Sequence, residues 1–535
     1  MTRFDADIII VGGGSAGCAL AGRLADAGVD TLLVEAGKPD TDLRTLVPAL
    51  TVAVVNNPNY DRGITAEPDD TIGGRQDIWP AAHRLGGGSA INGMIYVRGH
   101  RRDYDRWAEL GATGWSYDDV LPYFRRMETN SRGGDAWRGD SGPIAVGDNR
   151  VSYPVIGQFV EAAATFGIPR NRDHNGEKSG EGTDFSQATQ SGGLRCSAAR
   201  GYLRGKLDRS TRRVMTETEV LRVVIEQGRA TGIVVRRHGT ETILRARKGV
   251  VLSAGTLNTP RLLMLSGIGP ADELQRHGIT CVVESPEVGS NLQEHVGTHL
   301  IAATHTPTIN SDIRGLAAVG QGFDFLFRRR GAITSSMCHA QAFAHSSPAE
   351  EIPDVQISLT AFAFEFSAQG RAILLDRPAV SITVSVGRPK ARGRITLRSA
   401  RPDDAPIITH RLLAADEDVE RLARAIEIGR EILGQAPISE SIEAELRPGP
   451  DVTGTALRTF VRQAAVPLYH PVGTCRMGSD ATSVVDPELR VRGVAGLWVV
   501  DASVMPSLPI GNTNATAMMI GEKASDHLLR AISSQ

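Results

Sequence analysis

The stretch "DADIIIVGGGSAGCALAGRLADAGVDTLLVEAG" at residues 5–37 limits the fold more tightly than any other part of the chain. The apolar run from Ile8 to Val11 suits a strand covered on both faces. Small residues after it (Ala16, Cys18, Ala19, Ala21) let a helix lie close to the sheet. Between strand and helix, Gly12, Gly14 and Gly17 are spaced GxGxxG. Such glycines serve a tight turn, a close approach of pyrophosphate to the backbone, and helix–strand packing. The phosphates then meet the amide donors and dipole of the helix N-terminus. Glu35 ends the second strand, where an acid binds ribose hydroxyls and disfavours a 2′-phosphate, which argues against NADP.

The same letters hold a rival. Gly13-Gly14-Ser15-Ala16-Gly17 also reads GxSxG, the elbow that presents a hydrolase serine. That elbow follows several strands, one of which supplies the oxyanion hole, and here only twelve residues precede Gly13. The dinucleotide reading therefore leads, and a serine hydrolase using Ser15 stands as the alternative from a different class.

At 535 residues the chain exceeds what one hydrophobic core supports, so at least two lobes are expected. A net charge of −2, without long basic or acidic runs, gives no reason to expect nucleic acid or an anionic membrane as partner. "RRR" at 328–330 reads as a solvated turn. Five scattered cysteines without a CxxC pair argue against a disulfide framework or a thiolate zinc site. The N-terminus runs straight into an apolar strand, leaving no room for a secretory signal, and no apolar run reaches the ~20 residues of a membrane helix. The expectation is a soluble cytoplasmic protein.

Later strands bear on which dinucleotide binds. Ala230-Thr231-Gly232 opens a strand, a return strand follows, and the apolar strand Val250 to Leu252 ends in Ser253-Ala254-Gly255. Near the C-terminus "GLWVVDASVMP" gives another apolar strand ending on Asp501. A distant return to the N-terminal sheet is a pattern similar to FAD-binding proteins of the two-dinucleotide type.

Five ordered stretches then coincide: "HRLGGGSAINGMIYVRGHRRDYDRW" (83–107), "GTLNTPRLLMLSGIG" (255–269), "VGSNLQEH" (288–295), "HPVGTCRMG" (470–478) and "VVDASVMPSLPIGNTNATAMMIGEKASD" (499–526). Together they resemble the glucose/methanol/choline (GMC) family of FAD-dependent alcohol oxidoreductases over nearly the whole chain. The resemblance implies an α/β FAD-binding Rossmann-like domain, 1–155, 192–305 and 462–535. It also implies an α+β substrate domain with a mostly antiparallel sheet, 156–191 and 306–461. The flavin is expected to contact Gly12, Gly14, Ser15, Ala16, Glu35 and Ala36. Further along the chain Gly87, Ser89, Asn92, Gly93, Met94 and Ile95 join them, with Val220, Asp501, Ala502, Asn512 and Thr513. Where choline oxidases attach flavin through histidine this chain has Ile91, so the FAD is expected to be noncovalent.

Alternating β-branched segments between 352 and 400 ("DVQISLTAFAF", "AVSITVSVGRP", "GRITLRS") suit strands of the antiparallel sheet. Residues 415–434 have the period of an amphipathic helix against it. The Gly- and charge-rich stretch 170–194 reads as a long loop over the site.

The interval from His470 to Cys475 would by itself suit a metal pair, a nucleophile with its base, or neither. Alcohol oxidation needs a base of near-neutral pKa at the hydroxyl, and by the family motif His470 is that base. Pro471 restrains the backbone around it, and Cys475 then reads as a small packed residue. The family's second position falls on Asn512, expected to hydrogen-bond the substrate oxygen. One residue of 512–514 is expected to cap the helix that follows. Cys338 and His339 are weaker substrate-binding candidates, carried by the resemblance. His295 and His299 stand four apart, but Gly297 between them and the lack of a third ligand argue against a metal. Arg62 replaces a tryptophan common in the family.

The expected reaction is oxidation of a primary alcohol to an aldehyde, with O2 as acceptor giving H2O2. A dehydrogenase of the same family using a quinone or another carrier is the alternative.

Overall fold

The structure is a computed structural model that describes residues 4–205, 212–366 and 372–533. The outermost residues of the expected FAD-binding segments and two short internal stretches of the expected units therefore lie outside the described residues.

Two seven-stranded sheets organise the molecule. In the first, Ala6–Val11 is flanked in parallel by Thr31–Val34 and by the long strand Thr240–Leu252. Arg212–Met215 extends one edge, also in parallel. Leu497–Val499 joins Thr240–Leu252 in parallel, which is the return to the N-terminal sheet read from "GLWVVDASVMP". Burial on both faces explains the unbroken apolar letters of these strands: Ile8, Ile9, Ile10, Val250, Val251 and Leu252 have no exposed surface. The return strand and the apolar strand of the sequence reading are one continuous element. Its first half pairs antiparallel with Arg229–Arg237 and its second half lies parallel to Ala6–Val11.

The helix Ser15–Asp26 crosses this sheet and is covered by the C-terminal helix Asn514–Ser533. Their approach is close enough that a Cβ on Gly521 would stand 2.4 Å from the Ala16 carbonyl oxygen. Glu522, fully buried beside that contact, accepts from Arg23 Nε (2.9 Å), Arg126 Nε (2.7 Å) and Tyr202 Oη (2.6 Å).

The second sheet is antiparallel throughout. Its order is Ile442–Arg447, Val296–Thr304, Ala379–Val386, Val355–Thr360, Ala340–Ala344 and Gly182–Phe185, with Val466–Pro467 on the first part of Val296–Thr304. The helix Asp416–Leu433 packs on one face through Leu422, Ile426 and Ile432, with three acids in its first turn opposing the helix dipole. Two expectations are corrected here. The segment 393–399 contributes Arg394–Thr396 to a separate two-stranded pair with Ile407–Thr409. The stretch 170–194 is not a long loop: it supplies the edge strand Gly182–Phe185 and the short strands Gln187–Ala188 and Gln190–Ser191. No helix among the described residues is long and apolar enough to cross a membrane.

Candidate active site

A cavity of about 1320 Å³ runs from the carboxyl ends of the parallel strands to the uncovered face of the second sheet. At the first end the three motif glycines do different work. Gly12 has φ +103°, and a Cβ on it would lie 2.3 Å from the Ser253 carbonyl oxygen; one on Gly17 would lie 2.0 Å from the Gly12 oxygen. Both close the helix onto the sheet. Gly14 is open, with its nearest atom 4.0 Å from an added Cβ, and lines the cavity with Gly12, Ser15 and Ala16. A polyanion therefore has room against the first amides of the helix.

Glu35 sits behind this turn and accepts from Gly13 N (2.8 Å) and Gly37 N (2.7 Å). Burial raises its pKa, against the pull of those amides and of Arg62. Asp501 accepts from Thr259 Oγ1 (2.6 Å), Ser503 N (2.8 Å) and Gly255 N (2.9 Å), which ties the last strand of the sheet to the loop after Leu252. Burial raises its pKa as well. The cavity wall continues through Ala36, Gly87, Asn92, Gly93, Met94 and Ile95, then Val220, Ala502 and Thr513. Ser89 departs from the expected set. It is buried behind the wall, where its hydroxyl donates to Gly86 O (2.5 Å) and accepts from Ala198 N (2.9 Å), so it shapes the loop.

His470 is set in place from both sides. Its backbone N–H donates to both oxygens of Glu294 (2.7 and 2.9 Å), and the Pro471 carbonyl accepts from Thr256 Oγ1 (2.7 Å). Tyr469, at φ +66°, makes the left-handed turn that brings the chain round from Val466–Pro467. Burial pushes the Glu294 carboxyl well above the usual carboxylate range. His470 Nε2 lies 3.0 Å from Asn512 Nδ2, and its Nδ1 lies 2.9 Å from His295 Nδ1.

These contacts determine where the protons are. The Gly387 carbonyl, 3.0 Å from His295 Nε2, can only accept, so that nitrogen carries a proton. Burial holds His295 to a pKa of about 4, so the ring is neutral near pH 7 and its Nδ1 is bare. His470 Nδ1 must then be the donor between the two rings. Burial first, and the neighbouring His295 second, lower the His470 pKa well below 6.5, so it too is neutral. Its Nε2 presents a lone pair, which accepts from the Asn512 amide. The Asn512 Oδ1 is buried without a hydrogen-bond partner and needs a donor.

The remaining site readings separate. His339 is buried, with Nε2 2.8 Å from Ser335 Oγ and Nδ1 accepting from Ala361 N at 2.9 Å. Cys338 is buried beside it, 3.0 Å from Ser186 Oγ. Neither lines the cavity, whose wall in this segment is Met337, so the structure does not bring them to the site. The Ser15 hydroxyl donates to Asn514 Oδ1 at 2.7 Å and has no base there, which removes the hydrolase reading. The helix begins at Asn514, with Thr513 O accepting from Ala517 N; Asn512 lies outside it and serves His470. Cys475 is fully buried and a free thiol, held by Cys475 N to Ser503 O at 2.8 Å. His299 lies on a strand, 3.0 Å from Thr383 Oγ1, and no metal-binding cluster occurs among the described residues. Arg62 lines the wall, 3.3 Å from both Glu219 Oε1 and His83 Nε2.

Sequence reasoning passed over His295, read only as half of an improbable metal pair. It also missed the polar wall of Gln356, Ser358, Thr383 and Ser385. Two signals were present: a histidine closing "NLQEH", and polar residues at every second position of "VQISLT" and "AVSITVSV".

A Rossmann-like sheet with an open glycine at its phosphate turn, a basic imidazole across the same cavity and a covering antiparallel sheet define an FAD-dependent oxidoreductase acting on CH–OH donors. The chain belongs to the GMC oxidoreductase family: its N-terminal model matches residues 6–297 and its C-terminal model residues 389–521. It is 38% identical over 530 residues to an oxygen-dependent choline dehydrogenase of Brucella anthropi, covering 98% of this chain and 96% of the relative. The corresponding protein of Sinorhizobium medicae is 39% identical with the same coverage. Among solved structures, pyridoxine 4-oxidase from Mesorbium loti superposes with a TM-score of 0.88 at 30% identity, covering 98% of this chain and 99% of that one. Formate oxidase from Aspergillus oryzae gives 0.90 at 25% identity with full coverage of both.

Proposed function

We propose that the protein oxidises a primary alcohol to an aldehyde, with His470 as the base and Asn512 as its partner at the substrate oxygen. The observation that carries this reading is the single proton arrangement available to Gly387, His295 and His470, which leaves the His470 Nε2 lone pair facing the cavity beside Asn512. Bound FAD supplies the acceptor for the hydride leaving the alcohol carbon. With the alcohol bound, the Asn512 amide passes from His470 Nε2 to the substrate oxygen, the freed Nε2 lone pair takes the hydroxyl proton, and the ring becomes imidazolium while His295 Nδ1 keeps it oriented. The Asn512 amide steadies the oxygen as it gains charge.

The residues at the nucleotide end of the cavity suit FAD. Gly14 leaves room for the pyrophosphate at the helix N-terminus, and Glu35 retains lone pairs for the ribose. Ile91, at the cavity wall, has no nucleophile, which supports noncovalent binding. The segments 1–155, 192–305 and 462–535 form the FAD-binding unit in this reading, and 156–191 with 306–461 the substrate unit. The proposed acceptor is O2, reduced to H2O2, and the proposed location is the cytoplasm. An oxygen electrode run over an alcohol panel, repeated with an artificial acceptor, tests both parts. Peroxide formed in step with aldehyde supports the oxidase. Turnover with the artificial acceptor alone makes the protein a dehydrogenase.

The alcohols named by the relatives differ in charge: choline is a cation, and pyridoxine is a hydroxymethyl pyridine. The wall opposite the nucleotide end bears on that choice.

A further inference from the structure

That wall is the face of the second sheet left uncovered by the helix Asp416–Leu433. Because side chains alternate along a strand, Gln356 and Ser358 share one face of Val355–Thr360, and Thr383 and Ser385 one face of Ala379–Val386. The register sets them in two rows across three strands. His299 stands opposite Thr383 and Thr383 opposite Ser358; Gly297 stands opposite Ser385 and Ser385 opposite Gln356. All six positions border or adjoin the cavity, and five of them line it. The rows begin beside the base, since His295 immediately precedes the strand that carries Gly297 and bonds to Gly387 just past the strand that carries Ser385.

Every side chain in these rows is polar and neutral. His299 is held to a pKa of about 4 by burial and so carries no charge near pH 7. The charged residues that do line the cavity, Glu35, Arg62, Glu219, Arg261 and Asp501, stand on the first sheet and its loops or are ion-paired to it. Near His470 the closest carboxyl is Glu294, which does not line the cavity and is taken up by the His470 backbone. The one row position without a side chain resists acquiring one: a Cβ on Gly297 would stand 2.7 Å from the Val384 carbonyl oxygen and 2.9 Å from Leu468 Cδ1. Apolar surface comes from Met337, Phe364 and Leu468.

A quaternary ammonium group entering this end would shed its water and find no carboxylate among the described residues, only aromatic faces such as Phe364. A neutral substrate would find hydrogen-bonding partners instead: the Ser385 hydroxyl has no bond to another described residue, and Gln356 spends its Nε2 on Gln341 Oε1 (3.0 Å) while its own oxygen stays available. We infer that the substrate is an uncharged primary alcohol carrying hydrogen-bonding groups, and that this wall discriminates against quaternary ammonium alcohols such as choline. The inference rests on the alcohol-oxidising role of His470 and adds the substrate class.

The test is a steady-state comparison of three alcohols on the FAD-loaded enzyme with an artificial electron acceptor. They are choline, its uncharged isostere 3,3-dimethyl-1-butanol, and 3-pyridylmethanol, a neutral ring with a hydrogen-bond acceptor. The expected kcat/KM of the isostere exceeds that of choline by about tenfold or more, with 3-pyridylmethanol above both. Choline equal to or better than its isostere overturns the inference while leaving alcohol oxidation intact. An isostere better than 3-pyridylmethanol overturns the hydrogen-bonding half alone. Failure of all three alcohols on enzyme that holds FAD overturns the underlying reading. Gln356→Glu supplies a second readout: it sets a carboxylate in the wall, to which the Gln341 amide, turned over from its present Oε1-facing orientation, donates its unpaired Nε2, and should raise the choline-to-isostere ratio about tenfold. An unchanged ratio in a folded, FAD-loaded Gln356→Glu enzyme counts against the wall as the selector.

Discussion

The ring of His295 stands edge-on to that of His470, their planes 87° apart and their Nδ1 atoms separated by 2.9 Å. Two nitrogens of the same kind at that distance need one proton between them, and the Gly387 carbonyl behind His295 settles which ring donates. His295 is thus a positioning residue in this reading: it does not line the cavity, and its Nδ1 accepts from His470 Nδ1, which turns the His470 Nε2 lone pair to the cavity side.

Replacing His295 with Phe should leave His470 Nδ1–H buried without an acceptor and free the ring to take the other tautomer. We expect kcat to fall about 10- to 100-fold with FAD retained, and stability to drop by roughly 1–3 kcal/mol for the orphaned donor. The acid limb of kcat/KM should also move upward, because the second cause lowering the His470 pKa is removed. Nitrogen NMR of the imidazole reads the tautomer directly. An unchanged pH profile would leave His295 with a packing role only.

The pH dependence of activity follows from the same burial. Since His470 titrates well below 6.5, kcat/KM should be flat through neutrality and decline only on the acid side of that value. An acid limb centred at pH 7 or above contradicts this.

Stability should respond to acid in a defined window. His295 and His299 are lowered to about 4, and His339 to about 3, all by burial. The unfolded chain binds protons below about pH 6.5 that the folded chain refuses, so stability is complete above 6.5 and falls as pH drops toward 4. The slope is about 1.4 kcal/mol per pH unit for each such histidine in the middle of the window. Thermal melts across pH 4–8 check it, and a midpoint constant below pH 6 would argue that these rings are hydrated.

Glu522→Ala should destabilise without touching the chemistry. It removes the buried partner of Arg23, Arg126 and Tyr202 at the seam between the first and last helices. A loss of about 1–3 kcal/mol is expected by denaturant titration, because Arg23 and Arg126 keep access to solvent and Arg126 keeps Asp526 when the buried carboxylate is removed. A loss below 1 kcal/mol would mean the seam relaxes around water.

The two glycine substitutions separate fold from cofactor. Gly12→Ala drives a Cβ into the Ser253 carbonyl and should fail to fold or melt early. Gly14→Val has room in the protein but fills the space beside the phosphate turn, so a folded, colourless protein is expected. Flavin absorbance per mole of protein distinguishes them.

Much of this architecture was legible in the letters. The run from Ile8 to Val11, the three glycines and Glu35 dictate a buried strand, a close-packed helix and an acid at the next strand end because each demand is local. The strand ending on Asp501 was readable through its apolar run. The strands that carry the polar wall were read, but the wall itself was not. Alternation in "VQISLT" identified a strand, but alternation cannot say whether the polar face meets water or an internal cavity, and here Gln356 and Ser358 are buried. His295 was hidden for another reason: its partner lies 175 residues away, and nothing in the spacing of "HVGTH" points to "HPVG". Cys338 and His339 lie one and two residues past the cavity wall, a distinction that only the turn of the chain after Met337 decides.

The central claim is that His470 takes the hydroxyl proton. Its most direct test is the turnover number per bound FAD of His470→Ala against wild type, with an alcohol that the wild type oxidises. A fall of about 10²- to 10⁴-fold with full FAD content is predicted. Turnover within threefold of wild type would show that another group is the base.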